Sequence, residues 1–372
     1  PPYFLDSYNW FLVDKFLVIS NNKGMISFLS MNKQKMKFRH RFAHKLSKIM
    51  MRKKAGDETE SSPRRPTNQK PYSRLPRARV IVILGKTASG KSALAVWLGR
   101  KFGGEVVSAD SRQVYRGLNM GTGKITKVEM RSMPHYLLDV ANPRRQFSVA
   151  EYKKLAERAI ADIARRGKIP IICGGTGLYI DAVVNGVILP EVPPNIKLRE
   201  RLKNKKIEKL YEILKKLDPR RAKTIDVKNP RRLIRAIEIA TALGKVPRLE
   251  ANPPSYKVLK IGIALPDKIL KQKIHIRLFA RISRGMIAEA KRLHRQGLSW
   301  KRMESLGLEY KYLALYLQKK ITREKMLTKL ETEIWRYSKR QDTWFKRDKE
   351  IRWFKPKEVK RIEATVKKFL GK

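Results

Sequence analysis

From residue 78 onward, short apolar runs alternate with segments of helical period. ARVIVILG (residues 78–85) is a continuous β-branched run, the length of a strand buried on both faces. A glycine-rich turn follows, and then SALAVWLGRKF (92–102), whose apolar residues recur at helical spacing. EVVSAD (105–110) reads as a second strand, VAEYKKLAERAIADIARRG (149–167) as a helix and KIPIICGG (168–175) as a third strand. This alternation predicts an α/β domain with a parallel sheet. The period then changes. IKLRERLKNKKIEKLYEILKKL (196–217) is helical, strongly basic and bounded by Pro-containing turns, which predicts a small helical insertion. PRRLIRAIEIATALG (230–244) is a further helix stopped by Gly244, YKVLKIGIAL (256–265) returns as a strand, and the text is largely helical from Pro266 to the end.

The expected fold is therefore α/β, with a P-loop NTPase-like parallel sheet flanked by helices, an inserted small all-helical domain and a helical C-terminal region. Residues 79–186 and 230–355 form the core, 187–229 (or to about 245) the insertion, and 356–372 a tail helix. Residues 1–78 differ from the rest. An aromatic start is followed by a basic stretch, Met31–Lys54, and then by a Ser-, Pro- and charge-rich segment that reads as a disordered leader and linker, dispensable for activity. A start upstream of the true one fits this, with Met25, Met31, Met36, Met50 and Met51 as alternative starts; a basic arm touching RNA and a targeting leader are the competing readings. Tyr8–Ser20 is too short to cross a membrane and carries Asp14 and Lys15, so no membrane association is expected.

Charge adds a partner to this picture. The 372 residues hold 86 Lys and Arg against 33 Asp and Glu, a formal charge of +53. Residues 1–78 contain 17 of the former and 5 of the latter, which leaves +41 on the remaining 294. Such an excess favours a polyanion such as nucleic acid and argues against an acidic macromolecular partner. The single cysteine, Cys173, excludes an intrachain disulfide framework and a Cys-clustered zinc site, and fits a reducing, cytoplasmic compartment.

The candidate chemistry starts at Gly85-Lys86-Thr87-Ala88-Ser89-Gly90-Lys91-Ser92, a full G-x-x-x-x-G-K-[ST] motif between a strand and a helix. Its glycines turn backbone N–H groups toward an anion, Lys91 adds a point charge, and the Ser92 hydroxyl can ligate Mg²⁺. The motif indicates a diphosphate or triphosphate without naming a reaction. An ordinary NTPase also needs an apolar strand ending in Asp, yet KIPIIC runs into Gly174-Gly175-Thr176-Gly177. The one strand ending in Asp is EVVSAD. Asp110 would lie at the carboxyl edge of the sheet, where it could hold Mg²⁺ through water or act as a general base.

SADSRQVYRGLNMGTGK (108–124) resembles the signature of the tRNA dimethylallyltransferases, or tRNA isopentenyltransferases. With it, in family order, stand GKTASGKS, PHYLLDV (134–140), FSVAEY (147–152), PIICGGTGLYI (170–180), NPRRLIRAIEI (229–239), LGLEY (306–310) and YSKRQDTWFKR (337–347), covering roughly residues 79–350. The resemblance implies transfer of a dimethylallyl group from dimethylallyl diphosphate to N6 of adenosine 37 in tRNAs reading codons that begin with U, with diphosphate released. It implies that the P-loop, Gly85 to Ser92, holds the donor's diphosphate rather than ATP, with Arg277 and Arg281 nearby, four apart on one helix face. Asp110 and Thr176 become the catalytic pair, with Asp110 as the base. Asp110 and Thr176 themselves, with Ser111, Arg112, Gln113, Arg199 and the stretch Arg231, Arg232, Leu233, Ile234 and Arg235, match positions that contact the tRNA anticodon stem-loop. A bacterial type is implied, since the C-terminus carries no Cys/His cluster, and a monomer is expected, since nothing in the sequence suggests an obligate oligomer.

Plainer roles compete with these. Asp110 would cap the following turn, Arg199, Arg232 and Arg235 would form a solvated basic face, and Arg277 would pair with Glu289. Trp335, Trp344 and Phe345 are expected in the core, His135 as structural, and Cys173 as packing. Lys86 stands where the family usually has Pro, which adds charge to the loop, and LGLEY replaces a more usual Gly-Tyr pair. A small-molecule P-loop kinase or NTPase is the alternative enzyme reading, and a non-catalytic RNA-binding protein the third.

Overall fold

The computed structural model describes residues 9–13, 16–20, 26–30, 78–248, 252, 254 and 256–372. The chain falls into two units, Pro1–Lys70 and Pro71–Lys372. In the first, β1 (Asn9–Val13), β2 (Phe16–Ser20) and β3 (Ile26–Ser30) form an antiparallel meander, with Asn9 opposite Ser20 and Phe16 opposite Ser30. Disorder was the expectation for residues 1–78. The strands correct it where runs of β-branched and aromatic residues concentrate strand propensity. The basic stretch Met31–Lys54 and the linker after it lie outside the described residues.

The second unit alternates as the hydrophobic pattern requires. β4 (Arg79–Gly85) leads to α1 (Lys91–Phe102), then β5 (Gly104–Ala109), the single turn α2 (Lys127–Met130), the two-residue β6 (His135–Tyr136), α3 (Val149–Arg165), β7 (Ile169–Gly174) and α4 (Gly177–Val184). The insertion contributes α5 (Ile196–Lys203), α6 (Ile207–Leu217), α7 (Pro219–Thr224) and α8 (Pro230–Leu243). The chain returns through β8 (Lys257–Ile263), α9 (Asp267–Ser283), α10 (Met286–Arg295), α11 (Trp300–Ser305), α12 (Leu308–Leu317), α13 (Arg323–Phe345), β9 (Arg352–Phe354) and α14 (Val359–Leu370).

Six strands form one sheet in the order β6-β5-β7-β4-β8-β9, and every pairing is parallel. Side chains of β4 alternate between the faces. Val80, Val82 and Leu84 enter a core built with α3, α4 and α9 to α13, whereas Ile81 and Ile83 enter a second core with α1 and α14. Both faces are covered, which accounts for strands that read as unbroken apolar runs. The segment expected to be a tail helix is therefore part of the domain. Ile362, Val366 and Leu370 of α14 are buried against the sheet.

A third core joins Val192, Leu202, Leu210, Leu214, Leu233, Ile237 and Val246. Helix α8 thus packs within the insertion, and the boundary lies at about 246, the wider of the two expected limits. The long basic helix expected over 196–217 is two helices. Asn204 and Lys206 cap the two ends of the break, in a polar stretch with no apolar residue to carry the buried face onward. Two short edge strands, β6 and β9, had no sequence signal, being only two and three residues long.

Candidate active site

The strand order places three carboxyl ends side by side. β5 ends before Asp110, β7 ends at Gly174, and β4 ends in the phosphate loop. The middle strand offers no side chain there. A Cβ on Gly174 would collide with the Ala109 carbonyl, and one on Gly175 with the Gln341 amide. The bare β7 terminus leaves a cleft between Asp110 on one flank and the phosphate loop on the other.

The loop is built by backbone geometry. Gly85 has φ 140 and sits so close to β8 that a Cβ would stand 2.8 Å from the Ile263 carbonyl oxygen. Ala88 (φ 60) and Gly90 (φ 96) are left-handed, and Gly90 caps α1, whose first turn contains no acidic residue. The positive end of the helix is thus unopposed within its own first turn. Lys91 Nζ donates to the Lys86 carbonyl at 2.6 Å, and burial pushes Lys91 down to about 8. Such an ammonium gains from any anion that replaces its lost water. Ser89 Oγ is buried without a hydrogen-bond partner.

Around the loop, the cleft is lined by Thr87, Ala88, Lys91, Ser92, Ser108, Asp110, Gln113, Thr122, Arg277, Tyr337 and Gln341, and by the apolar Val106, Ile125 and Leu138. His135 and Cys173 also line it, and Cys173 packs in the second core. Burial lowers the His135 imidazole, and its Nδ1 lies 2.8 Å from the Met133 carbonyl oxygen. Burial raises the Cys173 thiol to about 11.

Asp110 does cap its turn. Its Oδ1 accepts from the backbone N–H of Arg112 (2.8 Å) and Gln113 (3.3 Å). Its Oδ2 accepts nothing among the described residues, so one oxygen orients the carboxylate and the other stays available. Thr176 stands beside it, accepting from the Ser111 N–H at 3.0 Å. Next to Thr176 is Tyr337, which burial pushes up to about 12, leaving it a proton donor near neutrality. Exposed Arg112 packs over Gly307 (φ 135), and a Cβ there would come within 3.2 Å of Arg112 Nε.

Arg277 and Arg281 share a helix face as their spacing requires, and both reach the loop after Leu118. Arg277 donates to the Gly123 carbonyl (2.9 Å) and lines the cleft. Arg281 donates to the Gly121 carbonyl (3.1 Å) and pairs with Glu309 (3.3 Å), and it does not line the cleft. Glu289, weighed as a partner for Arg277, instead accepts the N–H groups of Asn119, Met120 and Gly121 at 3.0, 2.9 and 3.0 Å, together with the Tyr310 hydroxyl at 2.6 Å.

In the insertion the expected tRNA-contact arginines divide. Glu238 is almost fully buried and receives Arg199 Nε and Nη2 (2.9 and 2.8 Å), Arg235 Nη1 (2.5 Å) and the Asn195 N–H (2.5 Å). Burial would raise this carboxyl, but the two arginines outweigh it and hold the group below the usual range. Arg232 pairs with Asp226 at 3.1 Å. Arg231 is exposed and has no ion pair among the described residues. Leu233 is core and Ile234 packs against it.

Two cleft residues were missed by sequence reasoning. Gln341 accepts from the Thr87 N–H (2.8 Å) and donates to the Gly175 carbonyl (2.9 Å), tying the phosphate loop to the β7 terminus. Tyr337 is the other. A Tyr and a Gln four apart within a motif, on a helix whose other buried positions are apolar except Ser338, was the available signal. Trp344 packs against the main core, as expected. It meets Gly177, where a Cβ would overlap its ring, and bonds Asp181 through Nε1 at 3.0 Å. Lys86 departs from expectation. Its ammonium faces Asp267 at 3.0 Å and does not line the cleft.

A parallel P-loop sheet with a carboxylate facing the loop across a bare strand end, and a basic helical insertion, defines a phosphate-binding α/β core. Residues 113–348 match the family model for IPP transferases. A tRNA dimethylallyltransferase of Treponema denticola is 44% identical over 272 residues, covering 72% of this chain and 91% of that protein. One from Syntrophus aciditrophicus is 42% identical over 296 residues, covering 77% and 97%. The crystal structure of the tRNA isopentenylpyrophosphate transferase of Bacillus halodurans superposes with a TM-score of 0.61 at 33% identity, covering 79% of this chain and 97% of that one. The chain belongs to the tRNA dimethylallyltransferase family of prenyl transferases, and its function is tRNA prenylation. Among the described residues no helix is long and apolar enough to cross a membrane.

Proposed function

We propose that the cleft transfers the dimethylallyl group of dimethylallyl diphosphate to N6 of adenosine 37, next to the anticodon, in tRNAs reading codons that begin with U. The observation carrying this reading is the juxtaposition of Asp110 and the phosphate loop across the side-chain-free end of β7. The donor's diphosphate lies on the loop N–H groups with Lys91, and its prenyl chain lies along the apolar Val106, Ile125 and Leu138. The adenine leaves the partly unpaired anticodon loop and enters from the side of Asp110, Thr176 and Gln113. N6 attacks the allylic carbon, the carbon–oxygen bond breaks, and the electron pair leaves with diphosphate. The N6 proton passes to Asp110 Oδ2, whose orientation is fixed through Oδ1.

Mg²⁺ suits the available donors. Among the described residues no cluster of three metal-ligating side chains exists, so a cation held here depends on the Ser92 hydroxyl and on diphosphate oxygens, which are hard ligands of the kind Mg²⁺ prefers. When bound, it would neutralise charge on the leaving diphosphate. The insertion offers Arg231 and Arg232 to tRNA phosphates. Helices that cover both faces of the sheet within one chain support a monomer, and a tRNA substrate supports action in the cytoplasm.

Incubation with labelled dimethylallyl diphosphate, Mg²⁺ and unmodified tRNA tests the reading. Label is expected at adenosine 37. Asp110→Ala is expected to lower kcat by at least about a hundredfold while leaving donor and tRNA affinity nearly unchanged. Hydrolysis of ATP with no label in the tRNA would overturn the proposal in favour of a P-loop kinase or NTPase.

A further inference from the structure

Lys86 is nearly buried, and its ammonium is spent inside the protein. Nζ lies 3.0 Å from Asp267 Oδ1 and 4.0 Å from Asp342 Oδ1, and the side chain is 9% exposed. The other oxygen of Asp267 takes Lys339 Nζ at 2.8 Å, and the other oxygen of Asp342 takes Lys346 Nζ at 2.9 Å. Asp267 is the first residue of α9, and Asp342 lies in α13. One side chain of the phosphate loop therefore engages two helices that are remote in sequence. The main chain of the same residue faces the site, because its carbonyl accepts Lys91 Nζ at 2.6 Å. One residue later, the Thr87 N–H is held by Gln341, which neighbours Asp342 on α13.

We infer that Lys86 is a positioning residue: its ion pairs with Asp267 and Asp342 dock the phosphate loop on α9 and α13, and so fix where Lys91 presents its charge. The inference rests on the reading that the loop holds the donor's diphosphate. The geometry gives the docking a consequence. Helix α9 also carries Arg277, and α13 also carries Tyr337 and Gln341, all three of which line the cleft. A glycine-rich loop is flexible by composition, and its N–H groups bind a diphosphate well only when they are held before it arrives. With a side chain so little exposed, Lys86 is costly to leave without the two carboxylates that face it, one on each helix.

A direct role for Lys86 on the diphosphate makes the opposite prediction, which separates the two. If Asp267 competes with diphosphate for Lys86, then removing its charge frees Lys86 and tightens donor binding. If Asp267 holds the loop, then removing its charge loosens donor binding. The experiment is steady-state kinetics with donor and tRNA varied in turn, on Lys86→Met, Asp267→Asn, their double variant and Lys86→Arg, with thermal midpoints recorded. The single changes are expected to raise the donor KM about five- to tenfold, within the range of one lost hydrogen bond. The kcat and the KM for tRNA should stay within about twofold, and the double variant should be no worse than the poorer single one, because both remove one interaction. Lys86→Arg should recover most of the loss. A donor KM that falls in Asp267→Asn overturns the inference, as does a donor KM unchanged in Lys86→Met, or equal losses for donor and tRNA. Lys91→Met run alongside tests the reading beneath it. A donor KM indifferent to Lys91 would show that the loop does not hold the diphosphate, a failure distinct from that of Lys86.

Discussion

The cleft and the helical insertion are both rich in cations and differ in what those cations face. In the cleft, Lys91 and Arg277 have no carboxylate within ion-pair distance among the described residues, and their hydrogen bonds go to backbone carbonyls. In the insertion, Arg199 and Arg235 close on Glu238, and the carboxylate is 1% exposed at its side chain. The first arrangement leaves positive potential for an incoming anion, and the second consumes it to hold three segments together. A basic residue in a recognisable motif is thus an anion receptor only where the fold withholds a counter-ion. For an excess of +53, that distinction decides which charges meet RNA and which ones meet the protein.

The sharpest way to break the comparison is Glu238→Ala. It would leave two partly buried guanidinium groups and the Asn195 N–H without their acceptor, in the smallest of the three cores. The arginines are about one-third exposed, so water softens the loss, and a destabilisation of about 3 kcal/mol is expected, at the low end for a broken buried pair. Amide hydrogen exchange should accelerate across 192–246 and stay unchanged across β4, β5 and β7. Uniform acceleration across both regions would show that the insertion is not an independent cooperative unit. Acid should act similarly. The Glu238 carboxyl is held below its ordinary value, so its contribution is complete above that value and is lost as pH falls through the depressed one.

The cleft makes its own prediction on the alkaline side. Lys91 is pushed down to about 8 by burial, and a bound diphosphate would raise it again. Donor binding then takes up a proton once pH exceeds about 8, so affinity should be flat below that point with respect to this group and fall above it. The slope should approach tenfold per pH unit. A donor KM measured from pH 7 to 9.5 at saturating tRNA checks this, and Lys91→Arg should flatten the rise. A KM indifferent to pH would mean that Lys91 does not pair with the donor.

Much of the fold was legible because its signals are local. The strands β4, β5, β7 and β8 are apolar runs bounded by glycine or charge, and the phosphate loop is a contiguous motif. Asp110 was legible for the same reason, since it ends the one strand that stops in a carboxylate. What stayed hidden depends on contacts remote in sequence. Gln341 lies 254 positions from Thr87, to which it bonds, and Glu289 lies 168 to 170 positions from the three amides it receives. Lys86 shows the limit most clearly. By position it belongs to an anion-binding loop, yet its side chain answers to Asp267 and Asp342, whose proximity no spacing rule contains. The edge strands β6 and β9 are too short for a periodic signal, and the break between α5 and α6 follows from which face the third core buries.

The smallest expected effect tests the insertion from its surface. Arg231 is exposed and carries no ion pair among the described residues, Arg232 shares its charge with Asp226 at 3.1 Å, and Arg199 gives its charge to Glu238. If these neighbours differ as their partners indicate, tRNA affinity measured against salt will separate them. Arg231→Ala should weaken binding a few-fold at every salt concentration and reduce the log–log salt slope by about one, the signature of one lost phosphate contact. Arg232→Ala should do less, because Asp226 already offsets part of its field. Arg199→Ala should leave the slope unchanged and lower the insertion's stability instead. An Arg199→Ala variant that loses slope and keeps its stability would mean that Glu238 releases this arginine to the RNA on binding, and the division between structural and receptor cations would then describe only the free protein.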